Sequence, residues 1–176
     1  MPGTMLSAMA HRRRKLRFNR LDDIIPDIAP LLTRGHRTIG KWSLGQIYNH
    51  LSESIRYSLV GFPGRHAPWP VRITLGKIIG ALMLTTGKIK KGVPLPAIYI
   101  PDSSLDASEQ ADVLRAMVER FNQANQFKMH PLIGAMSGRQ WERFHCVHCA
   151  HHLSFVLPAD HTSVSRRSEK STSAIE

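Results

Sequence analysis

Apolar residues recur at helical spacing in five separate stretches of the chain. The clearest are residues 44–59, 106–126 and 138–157. Weaker ones occupy 21–34, which contains Pro30, and 71–85, where two glycines and β-branched residues weaken the helix prediction. In each stretch the apolar positions repeat every three or four residues, which is the period of an amphipathic α-helix. No stretch shows a convincing strand pattern or an internal repeat. The pattern therefore predicts an all-α fold, an antiparallel four-helix bundle with at most one extra helix.

Capping signals mark the starts of two of these helices. Ser43 and Gln46 have the spacing of a capping box, as do Ser137 and Gln140. In this motif the serine oxygen accepts a backbone N–H and the glutamine side chain returns to the serine backbone. Trp42, directly before the first cap, is a candidate for a hydrophobic staple. The last helix is expected to continue to about residue 157, because it contains no further breaker.

Three stretches lack helical periodicity. Residues 87–104 contain three prolines and predict a long crossover connection, a kind of segment that often carries function. Residues 1–19 are basic and polar and predict a flexible N-terminal arm. Residues 159–176 are rich in Ser and Thr and predict a disordered polar tail. The bundle domain is thus expected at residues 20–158.

Charge and composition exclude several classes of protein. The net charge of +11 is typical of nucleic-acid binding, but the basic residues lie mainly at the ends and in loops, without a zinc-finger or ribonucleoprotein motif. We therefore expect a solvated basic surface and no nucleic-acid partner. No apolar stretch reaches the roughly 18 residues of a membrane span, and no signal peptide is indicated, so no membrane partner is expected. Two cysteines within one helix suit a reducing cytoplasm, where we expect the protein.

The last predicted helix concentrates the candidate chemistry, with both cysteines and four of the ten histidines. Successive helical residues differ by about 100°, so one face carries imidazoles among its aromatic residues. That face comprises Trp141, Phe144, His148, His152 and Phe155, with His145 close beside it and His151 at its edge.

Burial of these imidazoles requires partners. A polar ring buried without one costs about 1 to 3 kcal/mol. Residues four apart on a helix are neighbours, so nitrogen atoms of His148 and His152 can converge on one ion about 2.0 to 2.1 Å from each. His145 lies about 10.5 Å along the axis from His152, too far for all three to share an ion. A third ligand is therefore expected from another helix.

The sequence excludes several known catalytic and cofactor-binding motifs. Cys149 follows His148 where a zincin metalloprotease needs glutamate. Cys146 and Cys149 have thioredoxin-like spacing, but no strand precedes their helix. Ala150 stands where a c-type haem motif needs histidine. A phosphate-binding glycine loop and a serine nucleophile elbow are also absent from the sequence.

Three interpretations of the histidines remain open on this evidence. The first is a metal site of catalytic type built on His148 and His152. The second is a non-catalytic metal-binding or protein-interaction module. The third is a structural zinc held by His145 and Cys149, which are also four apart; it is weaker, because the cysteines project away from the imidazole face. His50, on the second predicted helix, reads on its own as a polar boundary residue.

A family resemblance changes the interpretation of His50. The segment Trp42-Ser43-Leu44-Gly45-Gln46-Ile47-Tyr48-Asn49-His50-Leu51, followed by His130-Pro131 and by Gln140-Trp141, Phe144-His145, His148 and His151-His152-Leu153, resembles the DinB-like superfamily. It is most similar to an uncharacterised branch, domain of unknown function 1569, over about residues 16–157. Members are four-helix bundles that bind a divalent metal through one histidine of the second helix and two of the last. The resemblance thus implies a metal site at His50, His148 and His152.

The same resemblance implies a class of chemistry. Three histidine ligands leave a coordination position open, as in catalytic sites. Imidazole suits zinc, nickel, iron or copper, so the ligands alone do not fix the ion; we expect zinc or nickel, with iron or manganese as further candidates. The expected function is that of a metal-dependent transferase or hydrolase that activates a thiol or water for attack on a small electrophile. His145 and His151 are then candidates to orient ligands or transfer a proton. Ser154 and Phe155 stand where many members carry a glutamine, a departure that bears on the substrate.

The expected partners follow from this chemistry. They are a small-molecule substrate, a low-molecular-weight thiol and, by the resemblance, a second copy of the chain in a homodimer.

Overall fold

The computed structural model describes residues 13–89 and 96–159. These residues are mostly helical, with one small sheet, so the prediction of a mainly helical fold is confirmed. The expectations for the outer parts of the arm and tail concern residues 1–12 and 160–176, which lie outside the described residues. The same holds for residues 90–95 of the crossover connection.

Five helices and two short strands form the fold. After a 3₁₀ turn at Leu21–Ile24 come α1 (Ile25–Thr33), β1 (His36–Thr38), α2 (Leu44–Val60), α3, a 3₁₀ turn at Ala97–Tyr99, α4 (Ala107–Asn122), α5 (Gly138–Leu153) and β2 (Val156–Pro158). Helix α3 consists of a turn at Trp69–Val71, a π-helical segment at Arg72–Gly76 and an α-helical segment at Lys77–Thr86.

Both predicted capping boxes are present. The Ser43 hydroxyl accepts the Gln46 backbone N–H, and the Gln46 side chain accepts the Ser43 N–H. Ser137 and Gln140 do the same at the start of α5. These caps satisfy backbone donors that the first helical turn leaves free.

The predictions of a helix to residue 157 and of no strands were wrong. Helix α5 ends at Leu153, and the chain then forms β2, which pairs antiparallel with β1 so that Thr38 lies opposite Val156. Strand pairing with a segment more than 100 residues earlier replaces the last helical turn. Val156 is fully buried, which favours the extended conformation over a continued helix.

Residues 13–19, inside the predicted arm, pack against the helices. Arg14 makes a two-fold ion pair with Asp27 of α1, at 2.6 and 2.7 Å, and also donates to the Leu153 carbonyl. Phe18 is buried in the core.

The core lies between α1, α2, α4 and α5. Tyr48, Leu51 and Ile55 of α2 are buried, as are Leu114 of α4 and Trp141 of α5. Burial of each large apolar side chain contributes about 1.5 to 3 kcal/mol, so this packing holds α2 firmly against α5. The consequence is that histidines on the facing sides of α2 and α5 are brought together.

Helix α3 contacts the rest of the fold through a narrow face. Gly76 lies against the loop before α5, so closely that a β-carbon there would stand 2.1 Å from the Leu132 carbonyl oxygen. The glycines that weakened the sequence prediction are thus needed for packing. The opposite face leaves large apolar side chains exposed, among them Ile73, Ile78 and Leu82.

The described part of the crossover connection is tied to α2. The Gln46 side chain donates to the Pro101 carbonyl at 3.0 Å. The Tyr99 hydroxyl donates to the Pro63 carbonyl at 2.7 Å, beyond the C-terminus of the helix. In the part of the chain that the structure describes, no helix is long and apolar enough to cross a membrane.

Candidate metal centre

Three imidazoles converge where α2 crosses α5. His50 comes from the middle of α2, and His148 and His152 from successive turns of α5. Their ligand atoms all lie within 4.8 Å of one another. The ring centroid of His152 lies 4.7 Å from the ring centroid of His50 and 4.7 Å from that of His148. The structure thus brings together the three residues that the resemblance implied.

The spacing between His50 and His148 matches that of two ligands of one ion. Their Nε2 atoms are 3.2 Å apart. With metal–nitrogen distances of about 2.05 Å, this separation corresponds to an angle at the metal of about 100°, close to tetrahedral. Without an ion, one of these facing nitrogen atoms must carry a proton, because two lone pairs would repel.

The crossover connection lies beside one of the ligand rings. Tyr99, in its 3₁₀ turn, lines the same cavity as His50. The Tyr99 backbone acts to raise the pKa of His50, against the larger lowering by burial.

Trp42 covers the same cluster. Its ring is stacked on His152, with centroids 5.6 Å apart and planes 7° from parallel. Its centroid also lies 4.9 Å from that of His50. The sequence suggested a helix staple here, but the ring contacts two of the three candidate ligands.

Burial keeps the three histidines neutral. Desolvation lowers the pKa of His50 to about 4 and that of His152 to about 2. It also places the pKa of His148 well below its ordinary value, and the neighbouring histidines lower it further. Neutral imidazole is the form that binds a metal, so the site needs little deprotonation at neutral pH.

Two cavities meet at the cluster. One, of about 510 Å³, is lined by the connection at residues 96–105 and by Glu53 and Tyr57 of α2; we call it the crossover cavity. The other, of about 610 Å³, is lined by Ile79 and Met83 of α3; we call it the α3 cavity. Both are lined by His50, His130, Phe144 and His148. A small molecule in either cavity can therefore reach the histidines.

The two accessory histidines occupy different environments. His145 is buried, hydrogen-bonded through Nε2 to the Ser58 hydroxyl at 3.1 Å and stacked on Trp141. These contacts place it in the core. His151 lies at the site, with its ring centroid 5.1 Å from that of His152 and its side chain lining the α3 cavity.

The cysteines do not join the cluster. Cys146 and Cys149 are buried free thiols, and burial raises the pKa of both, that of Cys146 to about 12. Among the described residues, the set of side chains placed to hold an ion consists of the three histidines alone. The interpretation as a structural zinc at His145 and Cys149 therefore lacks support here.

Sequence reasoning missed three contributors to the site. Trp42 covers the ligands, Tyr99 lines the crossover cavity beside His50, and His130 lines both cavities. The aromatic residue next to a cap and the prolines of the connection were visible signals, but neither indicated contact with the histidines.

Comparison with known proteins places the chain in a family. Residues 10–159 match the model of DUF1569, described as a protein of unknown function, so the chain belongs to this family. No curated protein and no solved structure matches it.

Proposed function

We propose that this protein binds one divalent transition metal ion through His50, His148 and His152 and activates a thiol or water for attack on a small electrophile. The convergence of the three imidazoles beside two cavities carries the proposal. A bound ion would lower the pKa of a coordinated water or thiol and so supply a nucleophile at neutral pH. The proposed ion is zinc or nickel, with iron or manganese as further candidates, since three imidazoles alone do not distinguish among such metals.

We also propose that the chain is a member of the DinB-like superfamily and has the four-helix bundle of that superfamily. Helices α1, α2, α4 and α5 would form the four-helix bundle of a DinB-like protein, with α3 and the crossover connection inserted between α2 and α4. Support comes from the origin of the ligands, one on α2 and two a turn apart on α5, as in that superfamily. Free buried thiols and the use of a low-molecular-weight thiol suit a cytoplasmic location.

Residues around the cluster can be given roles. Glu53 lines the crossover cavity and is held by Arg56 at 2.6 and 2.9 Å, a contact that lowers the pKa of the carboxyl group. It is therefore a carboxylate at neutral pH and can accept a hydrogen bond from a thiol or water. His151, beside His152, is placed to accept and pass on the proton that the nucleophile loses.

A non-catalytic metal-binding or interaction module is the alternative. The test is a panel of low-molecular-weight thiols and small electrophiles, assayed with metal-loaded protein. We expect metal-dependent turnover that His152→Ala abolishes and that the exposed-histidine control His66→Ala retains. Metal-loaded wild type without turnover of any pair would favour the module.

A further inference from the structure

The loop before α5 holds the His130 ring in one orientation. The backbone N–H groups of Leu132 and Ile133 both donate to His130 Nδ1, at 3.1 and 3.0 Å. His130 and Gly134 also exchange two backbone hydrogen bonds of 3.0 Å each. Gly134 adopts φ +86°, a conformation that favours glycine. This closed turn fixes the ring from its Nδ1 side.

The hydrogen bonds determine where the proton of the ring resides. A nitrogen that accepts two N–H groups cannot itself carry hydrogen, so the neutral ring is protonated on Nε2. Burial lowers the pKa of His130 to about 4, so the ring is neutral at pH 7. In the described part of the chain, the hydrogen bonds of the ring are all at Nδ1, which leaves the Nε2–H group for a ligand.

His130 lines the same two cavities as the candidate metal ligands His50 and His148. These are the crossover cavity and the α3 cavity. The His130 ring packs beside Phe144 and Phe62, with centroids 5.3 and 5.2 Å away. A molecule that occupies either cavity can therefore contact both the His130 ring and the candidate ligands.

The α3 cavity indicates what else such a molecule contains. Apart from the histidines and Lys41, its wall is mainly apolar, with Ile79 and Met83 of α3 facing Ile133 and Phe155. An apolar group gains about fourfold in affinity for each methylene that it buries in such a space.

We propose that His130 is a substrate-binding residue that donates a hydrogen bond from Nε2 to a carbonyl or carboxylate oxygen of the substrate, while an apolar part of the substrate fills the α3 cavity. The inference rests on the proposed three-histidine metal site, because the oxygen lies between that site and His130. A neutral donor of this kind polarises a carbonyl without supplying a full charge.

The first test is independent of metal. Nitrogen-15 NMR of histidine-labelled, metal-free protein reports the tautomer of each ring, and the His130 signals are assigned from their loss in His130→Gln. We expect the Nε2–H tautomer from pH 6 to pH 8. An Nδ1–H tautomer or a charged ring in this range would overturn the proposal.

The second test measures binding of an oxygen ligand, with acetate as the probe and the visible spectrum of Co²⁺-loaded protein as the signal. His130→Phe keeps a ring but removes the donor, and should weaken acetate binding about tenfold with Co²⁺ affinity changed less than twofold. His130→Gln can accept through Oε1 and donate through Nε2, and should stay within about threefold of wild type. Unchanged acetate affinity in His130→Phe would overturn the role of His130.

A series from acetate to hexanoate tests the apolar part. Affinity should rise by about threefold to fourfold per methylene in wild type. Equal affinities along the series would overturn the assignment of the α3 cavity. Failure of wild type to bind Co²⁺ would instead contradict the three-histidine site itself, so the two failures are distinguishable.

Discussion

His50 Nε2 lies 3.2 Å from His148 Nε2, although 98 residues separate them in the chain. Packing of α2 on α5 creates this contact, and burial keeps both rings neutral. Two facing imidazole nitrogens attract either a proton or a metal ion. The predictions below follow from this arrangement and its surroundings.

Zinc binding should release few protons. At pH 6, three histidines with ordinary pKa values would release about two protons when a metal binds. The low pKa values of His50, about 4, and His152, about 2, predict release close to zero. Calorimetric titration at pH 6 in two buffers of different ionisation enthalpy measures this number. Release of about two protons would show that the rings are charged before binding.

Removal of the Trp42 ring should weaken metal binding without abolishing it. The ring stacks on His152 and contacts His50, so it restricts both side chains. Loss of such an orienting partner commonly costs tenfold or more in metal affinity, and we expect about tenfold for Trp42→Ala. Trp42→Phe keeps an aromatic face and should lose less. Competition against a chelator of known affinity measures both, and equal affinities in wild type and Trp42→Ala would contradict the orienting role.

The metal-free protein should lose stability in acid, in part through His145. Burial lowers the pKa of this ring from 6.5 to about 3. Its contribution is therefore complete above pH 6.5 and is lost as pH falls towards 3, because only the unfolded chain takes up the proton. The free energy of unfolding should fall by roughly 1.4 kcal/mol per pH unit for this group in the middle of that window.

The matched variant for this test is His145→Phe. It removes the titrating group but preserves an aromatic ring against Trp141, and the Ser58 hydroxyl still donates to the Ile55 carbonyl. Urea unfolding between pH 4 and pH 6 should show a shallower pH dependence for the variant. Parallel curves would mean that His145 is not buried as a neutral ring.

The exposed face of α3 favours a homodimer. Ile73, Ile78 and Leu82 are each more than half exposed, an unusual concentration for a surface helix. We expect light scattering to show a dimer that Ile78→Glu dissociates. Val113→Glu, at an exposed apolar position on α4, is the control and should leave the dimer intact. A monomeric wild type would contradict this prediction.

The local features of the fold could be predicted from the sequence, and the non-local ones could not. Capping residues and the helical period depend on neighbours in the chain, so the starts of α2 and α5 were predictable. The end of α5 depends on strand pairing between Thr38 and Val156, which no local pattern reveals. Gly76 weakened the prediction of α3 because glycine disfavours a helix. Its close packing against the loop before α5 is a tertiary contact that the local sequence does not reveal.

In the candidate site, too, local relationships were predictable from the sequence and tertiary contacts were not. His148 and His152 were paired by their spacing on one helix, whereas His50 needed the family resemblance because its partners lie on another helix. Trp42 and His130 contact the site through tertiary packing, and their sequence neighbourhoods indicated a staple and a turn.

The most direct test of the three-histidine site is elemental analysis of untagged protein purified without chelator or immobilised nickel. Wild type should carry about one transition metal ion per chain, and His50→Ala and His148→Ala should each carry almost none. The control His66→Ala changes an exposed histidine and should retain the wild-type content. If wild type binds no zinc, nickel, iron or manganese even when these are added, the cluster is a packed set of neutral rings and the proposed metal chemistry is wrong.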